Sequence, residues 1–209
     1  LKINRAKKLI ALQKLETEKQ KDLVMEKQKD ITDSINYALR IQEAILPSRE
    51  MNREVFEESF VLFKPKDIVS GDFYWYNVKN GKSIVTAVDC TGHGVPGALM
   101  SMLGMTFLNE IVNHMGITTP AAILSELRDR VKDTLKQRGS EGESKDGMDM
   151  ALISVDPNTL KLEFCGANNP LWIYRIENGN TDLIEIEPDK RPVGYFRGLG
   201  IPFTNKDFQ

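Results

Sequence analysis

Two short stretches carry aspartates where the chain changes direction. Ser70-Gly71-Asp72-Phe73-Tyr74-Trp75 sets Asp72 at the entry to an aromatic, strand-like run. Ala87-Val88-Asp89-Cys90-Thr91-Gly92-His93-Gly94-Val95-Pro96-Gly97-Ala98 sets Asp89 at the end of another. Ser83 to Val88 is rich in β-branched side chains and runs into a glycine-rich turn, which reads as strand, turn and helix start. Asn80-Gly81 is a hairpin signal between the two runs, so they are neighbours in one sheet. Asp72 and Asp89 can then converge as two hard oxygen ligands on one divalent cation, a donor set suited to magnesium, manganese or calcium rather than a soft metal. Gly92 and Gly94 let the backbone take positive φ and approach a ligand closely.

The rest of the composition bounds what such a site can serve. A chain of 209 residues suits one domain plus an appendage, with an ordinary hydrophobic share. The net charge of −2 gives no drive toward nucleic acid or an anionic membrane, so phosphate-backbone binding is not expected. Cys90 and Cys165 lack metal-type spacing and read as free thiols of a reducing compartment. No apolar run reads as long enough to span a bilayer, and the N-terminus is charged rather than signal-like. A cytoplasmic location is expected, in a parent protein that can itself be membrane-anchored.

Residues 1–46 differ in character from the remainder of the chain. Lysine, glutamate and glutamine dominate, and no glycine or proline occurs before Pro47, which favours one long helix. A heptad seam runs through Val24, Gln28, Ile31, Ile35, Ala38, Gln42 and Ile45, whereas Leu12 and Leu15 belong to another frame, so the register shifts between Leu15 and Leu23. The apolar face widens toward Pro47, as for a helix that packs on a partner helix and on a globular domain. This predicts a parallel homodimer joined through the helix.

Residues 47–209 read as strands at Ser59–Phe63, Phe73–Val78 and Ser83–Val88, then a helix beginning near Pro96 and a second amphipathic helix after Thr118-Thr119-Pro120. A polar loop, Gly139 to Gly147, precedes strands at Met150–Val155, Leu160–Gly166, Leu171–Ile176 and Leu183–Ile186. The order is that of an α+β domain.

Taken together, Ser70-Gly71-Asp72-Phe73-Tyr74 and Asp89-Cys90-Thr91-Gly92-His93-Gly94 resemble the paired motifs of the SpoIIE/RsbU branch of the PPM, or type 2C-like, protein serine/threonine phosphatases. Further matches occur in order: Arg40 to Pro47, Gly147 to Leu152, Gly166 to Leu171 and Arg191 to Gly194. The resemblance covers the chain from about Ile31 onward. It implies two stacked antiparallel sheets flanked by helices, hydrolysis of phosphoserine or phosphothreonine on a signalling protein such as an anti-sigma-factor antagonist, and Mn²⁺ or Mg²⁺ as cofactor. A pair of such cations neutralises a phosphate dianion that otherwise repels the attacking water. It also implies a sensor domain upstream of the helix.

Within that frame Asp89 is the bridging carboxylate, and Asp72 with the Cys90 carbonyl completes one metal. The family's remaining ligands come from a Thr/Ser-Asp-Gly segment and a later aspartate. Residues 204–209 end where that region would begin, so the chain reads as a fragment that holds at most one cation and is inactive or nearly so. Asp146 and Asp149 are candidates for an extra metal or for simple loop solvation. His93 is a candidate general acid or a turn residue. Lys64 and Lys66 are candidate phosphate partners or plain surface charges. The competing readings are a dimerisation and signalling module without turnover, and a metal-stabilised domain that binds a partner protein without hydrolysing it.

Overall fold

In a computed structural model the described residues are 2–47, 58–140, 142–177, 179–196 and 200–208. The chain divides into two units, Leu1–Ile41 and Gln42–Gln209. Helix α1, Lys2–Ile45, forms the first unit and continues into the second. Its sequence of good helix formers without Gly or Pro accounts for its length. Leu9, Leu12, Leu15, Val24 and Ile31 are all exposed along it, as unpaired apolar positions of a helix would be.

In the second unit, β1 (Phe73–Lys79) and β2 (Lys82–Cys90) form a hairpin. Asn80 and Gly81 both take positive φ, 54° and 77°, which is what a two-residue turn of this kind demands. Helix α2 (Gly94–Asn109) starts two residues before Pro96 and ends in a π-helical turn, Glu110–His114. Helix α3 (Pro120–Thr134) has proline in its first turn, where the missing N–H costs nothing. Strands β3 (Gly147–Val155), β4 (Leu162–Ala167), β5 (Leu171–Glu177), β6 (Asn180–Ile186), β7 (Val193–Gly194) and β8 (Lys206–Phe208) complete it. All named strand pairs are antiparallel. The larger sheet runs β1-β2-β3-β4-β8 with β7 beside β3, and β5–β6 form a separate two-stranded sheet. The domain is therefore α+β, with antiparallel sheets and packed helices.

Alternation sorts the larger sheet into two faces. Met148, Met150 and Leu152 of β3 and Ile84 and Val88 of β2 are buried in one core with Leu108, Ile111, Ile123, Leu124 and Leu127 of the helices. Helix α2 with its π-helical turn is long and apolar enough, by composition, to cross a bilayer, contrary to the sequence reading. Half of its apolar window is buried inside the domain, so packing accounts for its hydrophobicity.

Two sequence expectations are corrected. Residues 59–63 form no strand: Glu58–Phe63 has no ladder among the described residues, and Phe60 is 89% exposed. The strand expected from Leu160 starts at Leu162, because Leu160 takes φ 57° in the preceding turn. The 139–147 loop is internally tied, since one Glu143 oxygen accepts from the amides of Arg138, Gly139 and Ser140. Of the turn expected at Asn178-Gly179-Asn180, Asn178 lies outside the described residues.

Candidate active site

The register of the larger sheet lines up three aspartates. Phe73 pairs with Val88, which sets Asp72 opposite Asp89 one step beyond the ladder, and Asp89 itself pairs with Asp149. Directly opposed residues share a face of the sheet, so the three carboxylates form a row across the ends of three strands. That face is the one away from the buried Cys90, Met148 and Met150.

Glycines bring the two motifs into backbone contact. A Cβ on Gly71 would stand 2.7 Å from the Gly92 carbonyl oxygen, and one on Gly97 would stand 2.6 Å from the same atom and 2.9 Å from the Gly71 Cα. Any side chain at either position would push apart the segments that carry Asp72 and Asp89. The turn after Asp89 is fastened to β3: the Thr91 amide donates to the Gly147 carbonyl at 2.9 Å, and the Gly147 amide donates to Thr91 Oγ1 at 3.1 Å.

Electrostatics agree with a cation site. Asp89 is raised above the usual carboxylate range by its burial, by the Asp72 charge and by a side-chain hydrogen bond with Asp72. Two carboxylates this close repel unless a proton or a cation lies between them. The Cys90 thiol points into the core, and burial, then Asp72 and Asp89, push its pKa up. It stays a thiol, so only its backbone carbonyl is available as a hard ligand.

The remaining candidates separate. Asp149 accepts a hydrogen bond from Asn168 Nδ2 at 2.9 Å, and Asn168 itself takes φ 59°. Asp146 accepts from Ser144 Oγ at 2.6 Å, while its carbonyl accepts from Gln137 Nε2 at 2.6 Å, so it serves the loop rather than the row. Among the described residues no group of three or more His, Cys, Asp or Glu side chains gathers as a metal cage. Lys64 lines, with Asp72 and Asp89, a cleft of about 620 Å³ whose other walls include Phe63, Tyr74, Ala151, Pro170 and Trp172. Lys66 is exposed and is not among the residues lining it. His93 is exposed and pairs with Asp67, its Nδ1 lying 2.7 Å from Asp67 Oδ2.

Two contributors escaped the sequence reading. Gln42 is 3% exposed, and its amide clasps the backbone of Ser70, two residues before Asp72. Nε2 donates to the Ser70 carbonyl at 2.6 Å and to Ser101 Oγ at 2.9 Å, and Oε1 accepts from the Ser70 amide at 2.9 Å. The heptad reading gives Gln42 to a helix seam; burial within the domain takes it out of one. The hints in the sequence were the widening apolar face just before Pro47 and the place of Gln42 inside the Arg40 to Pro47 match. Asp67 carries no signal in the sequence at all, because its role stems from a contact across 26 positions.

A family model described as "Stage II sporulation protein E (SpoIIE)" matches residues 79–209. No curated protein matches the chain. Among solved structures the chain is similar to the SiaA-PP2C domain of Pseudomonas aeruginosa, with 34% identity and TM-score 0.71 over 87% of this chain and 68% of that one. It also shares its fold with the PP2C phosphatase domain of the cell fate determinant SpoIIE from Bacillus subtilis, a structure that includes a fragment of the regulatory domain. There the identity is 17% and the TM-score 0.51, over 68% of this chain and 37% of the other.

Proposed function

The chain belongs to the SpoIIE family of PP2C-type phosphatases, and we propose that it acts as a metal-dependent domain that hydrolyses phosphoserine or phosphothreonine on a signalling protein. The observation that carries this is the pairing of Asp72 with Asp89 on one sheet face at the mouth of a cleft. The donor set is all hard oxygen, which fits Mn²⁺ or Mg²⁺. Asp89, Asp72 and the Cys90 carbonyl would hold the cation, with Asp149 as a further carboxylate in the same row. Bound there, divalent cations neutralise the phosphoryl oxygens and ease attack by water. In this chain, with two converging carboxylates, one weakly held cation is the expected occupancy, against two in a domain that supplies further ligands.

The protein's own groups then have distinct tasks. Lys64, on the cleft wall, attracts the phosphate as a point charge. His93 gives a proton to the leaving serine or threonine oxygen. The apolar walls, Phe63 and Trp172 among them, limit water around the reacting group. The substrate class that the family resemblance suggests is a phosphorylated partner such as an anti-sigma-factor antagonist. Exposed apolar residues along α1 support a homodimeric helix that transmits the state of an upstream sensor, in a cytoplasmic setting. The small number of converging ligands favours a second reading, a metal-stabilised domain that binds a partner without turnover.

Calorimetric titration of this chain with Mn²⁺ tests the site: one weak event that disappears in Asp89→Asn is expected. Two tight sites that survive Asp89→Asn would remove Asp89 from the assignment. In the full-length protein, phosphopeptide hydrolysis should require Mn²⁺ or Mg²⁺ and be lost in Asp72→Ala and in Asp89→Ala, with the fold intact by circular dichroism. Turnover that persists in EDTA would refute the mechanism.

A further inference from the structure

Asp67 stands outside the acidic row, yet it meets the histidine of the turn that follows Asp89. His93 occupies the N-cap position of α2 with an extended backbone and makes no side-chain capping bond, so the helix end does not use its ring. Nδ1 instead lies 2.7 Å from Asp67 Oδ2, although the imidazole is 68% exposed and the carboxylate 40%. Exposed side chains seldom hold one geometry unless their backbones are fixed. Here His93 sits between Gly92 and Gly94, both at positive φ, in the turn whose Gly92 carbonyl packs against Gly71 and Gly97. Asp67 lies in the bent segment leading to the Gln42-clasped Ser70. Gly94 borders the pair: a Cβ there would stand in ordinary contact with Asp67 Oδ2, at 3.6 Å, and it is the φ of 61° that calls for glycine.

A carboxylate at Nδ1 decides which ring nitrogen carries the proton of the neutral ring. Among the described residues Nε2 has no hydrogen-bond partner. We propose that Asp67 is a positioning residue that holds His93 with Nδ1 protonated and Nε2 free to carry the proton used in phosphoryl transfer at the adjoining Asp72–Asp89 cleft. This rests on the phosphatase reading and adds a residue to it. As water bonds to phosphorus and the bond from phosphorus to the serine or threonine oxygen breaks, that oxygen keeps the electron pair and takes the proton from Nε2. The ring returns to neutral with its Nδ1 proton still shared with Asp67, and the attacking water loses its own proton to solvent.

The test separates the pair from the enzyme. The chain has two histidines, so long-range ¹⁵N–¹H correlation spectra contain two ring systems, and His114→Asn identifies the signals of His93. With the ring neutral, His93 should show a protonated Nδ1 and a lone-pair Nε2. Asp67→Ala should shift it to the Nε2–H form that free imidazole side chains prefer, and Asp67→Glu should restore the first pattern. A wild-type His93 already in the Nε2–H form, or one unmoved by Asp67→Ala, overturns the proposal whether or not the protein is a phosphatase. In the full-length enzyme, Asp67→Ala should lower kcat by roughly tenfold, part of the ~10²-fold that a placed general acid supplies, with KM unchanged and with rescue by Asp67→Glu. An unchanged kcat alongside a shifted tautomer also overturns it. If the full-length protein lacks turnover, it is the phosphatase reading that fails, and the tautomer readout still decides the pair.

Discussion

The two faces of the larger sheet obey different rules. On the helix side, β2 and β3 present Ile84, Val88, Met148, Met150 and Leu152 to α2 and α3, and every one of these side chains is almost fully buried. On the other side Asp89 of β2 and Asp149 of β3 line up with Asp72, just before β1, and the separate β5–β6 hairpin leaves Trp172, Tyr174 and Ile176 more than half exposed. One face holds the domain together. The other holds like charges at close range beside apolar surface that water covers poorly, an arrangement that a cation and a bound protein segment would each improve.

The largest effect that could break this contrast lies in the core. Leu152→Ala removes a side chain with no exposed surface and should destabilise the domain by about 3 kcal/mol, within the ~2–5 kcal/mol found for such truncations. Trp172→Ala, at 58% exposed, should cost only about 0.5 kcal/mol. Urea denaturation of both variants decides the matter. Equal losses would mean that the hairpin is core, and the division between a structural and a chemical face would fall.

A somewhat smaller effect tests whether the chemical face is held from a distance. Gln42→Leu keeps the volume but strands the amide of the buried Ser70 and leaves its carbonyl only the 3.3 Å bond from Ser101 Oγ, and should cost about 2 kcal/mol. Because Ser70 lies two residues before Asp72, Mn²⁺ affinity should weaken together with stability. Gln42→Glu is the sharper variant: its carboxylate still accepts from the Ser70 amide but can no longer donate to the Ser70 carbonyl. Unchanged metal affinity in a destabilised Gln42→Leu domain would confine Gln42 to folding.

The legible parts of the sequence were those whose signal is local. Asn80-Gly81 gave the hairpin, and Pro120 with the spacing of Ile123, Leu124, Leu127 and Val131 gave α3. The glycines around Asp72 and Asp89 marked the turn, though only the structure shows that Gly71 and Gly97 close on one carbonyl. What failed was non-local. Residues 59–63 have the composition of a strand but no ladder partner among the described residues, and propensity without a partner does not make a sheet. Gln42 matched a heptad by spacing, yet buried hydrogen bonds to Ser70 and Ser101 outweigh a seam position for a polar side chain. The Asp67–His93 pair and the hydrogen bond of Asn168 to Asp149 depend on tertiary contacts that no spacing rule encodes.

The smallest expected effect is the most specific to the acidic row. Asp89 has a folded-state pKa above its ordinary value of 3.8, because burial and Asp72 disfavour its charge. Between the ordinary value and the raised one the native state therefore binds more protons than the unfolded chain, so stability falls as pH rises through that window and stays lower above it. Asp89→Asn abolishes this loss. In the metal-free chain the variant should be more stable than the wild type at neutral pH, by no more than about 1 kcal/mol since the site is open to solvent screening. Near pH 3, where the wild-type carboxyl is protonated, the advantage should vanish. Adding Mn²⁺ at neutral pH should reverse the order, since only the wild type gains stability from a ligand that binds the native state. Thermal melts at the two pH values, with and without Mn²⁺, measure all of this in one series. An Asp89→Asn domain that is less stable than the wild type at neutral pH without metal would show that Asp89 is a structural partner of the fold, and the two faces of the sheet would no longer differ in kind.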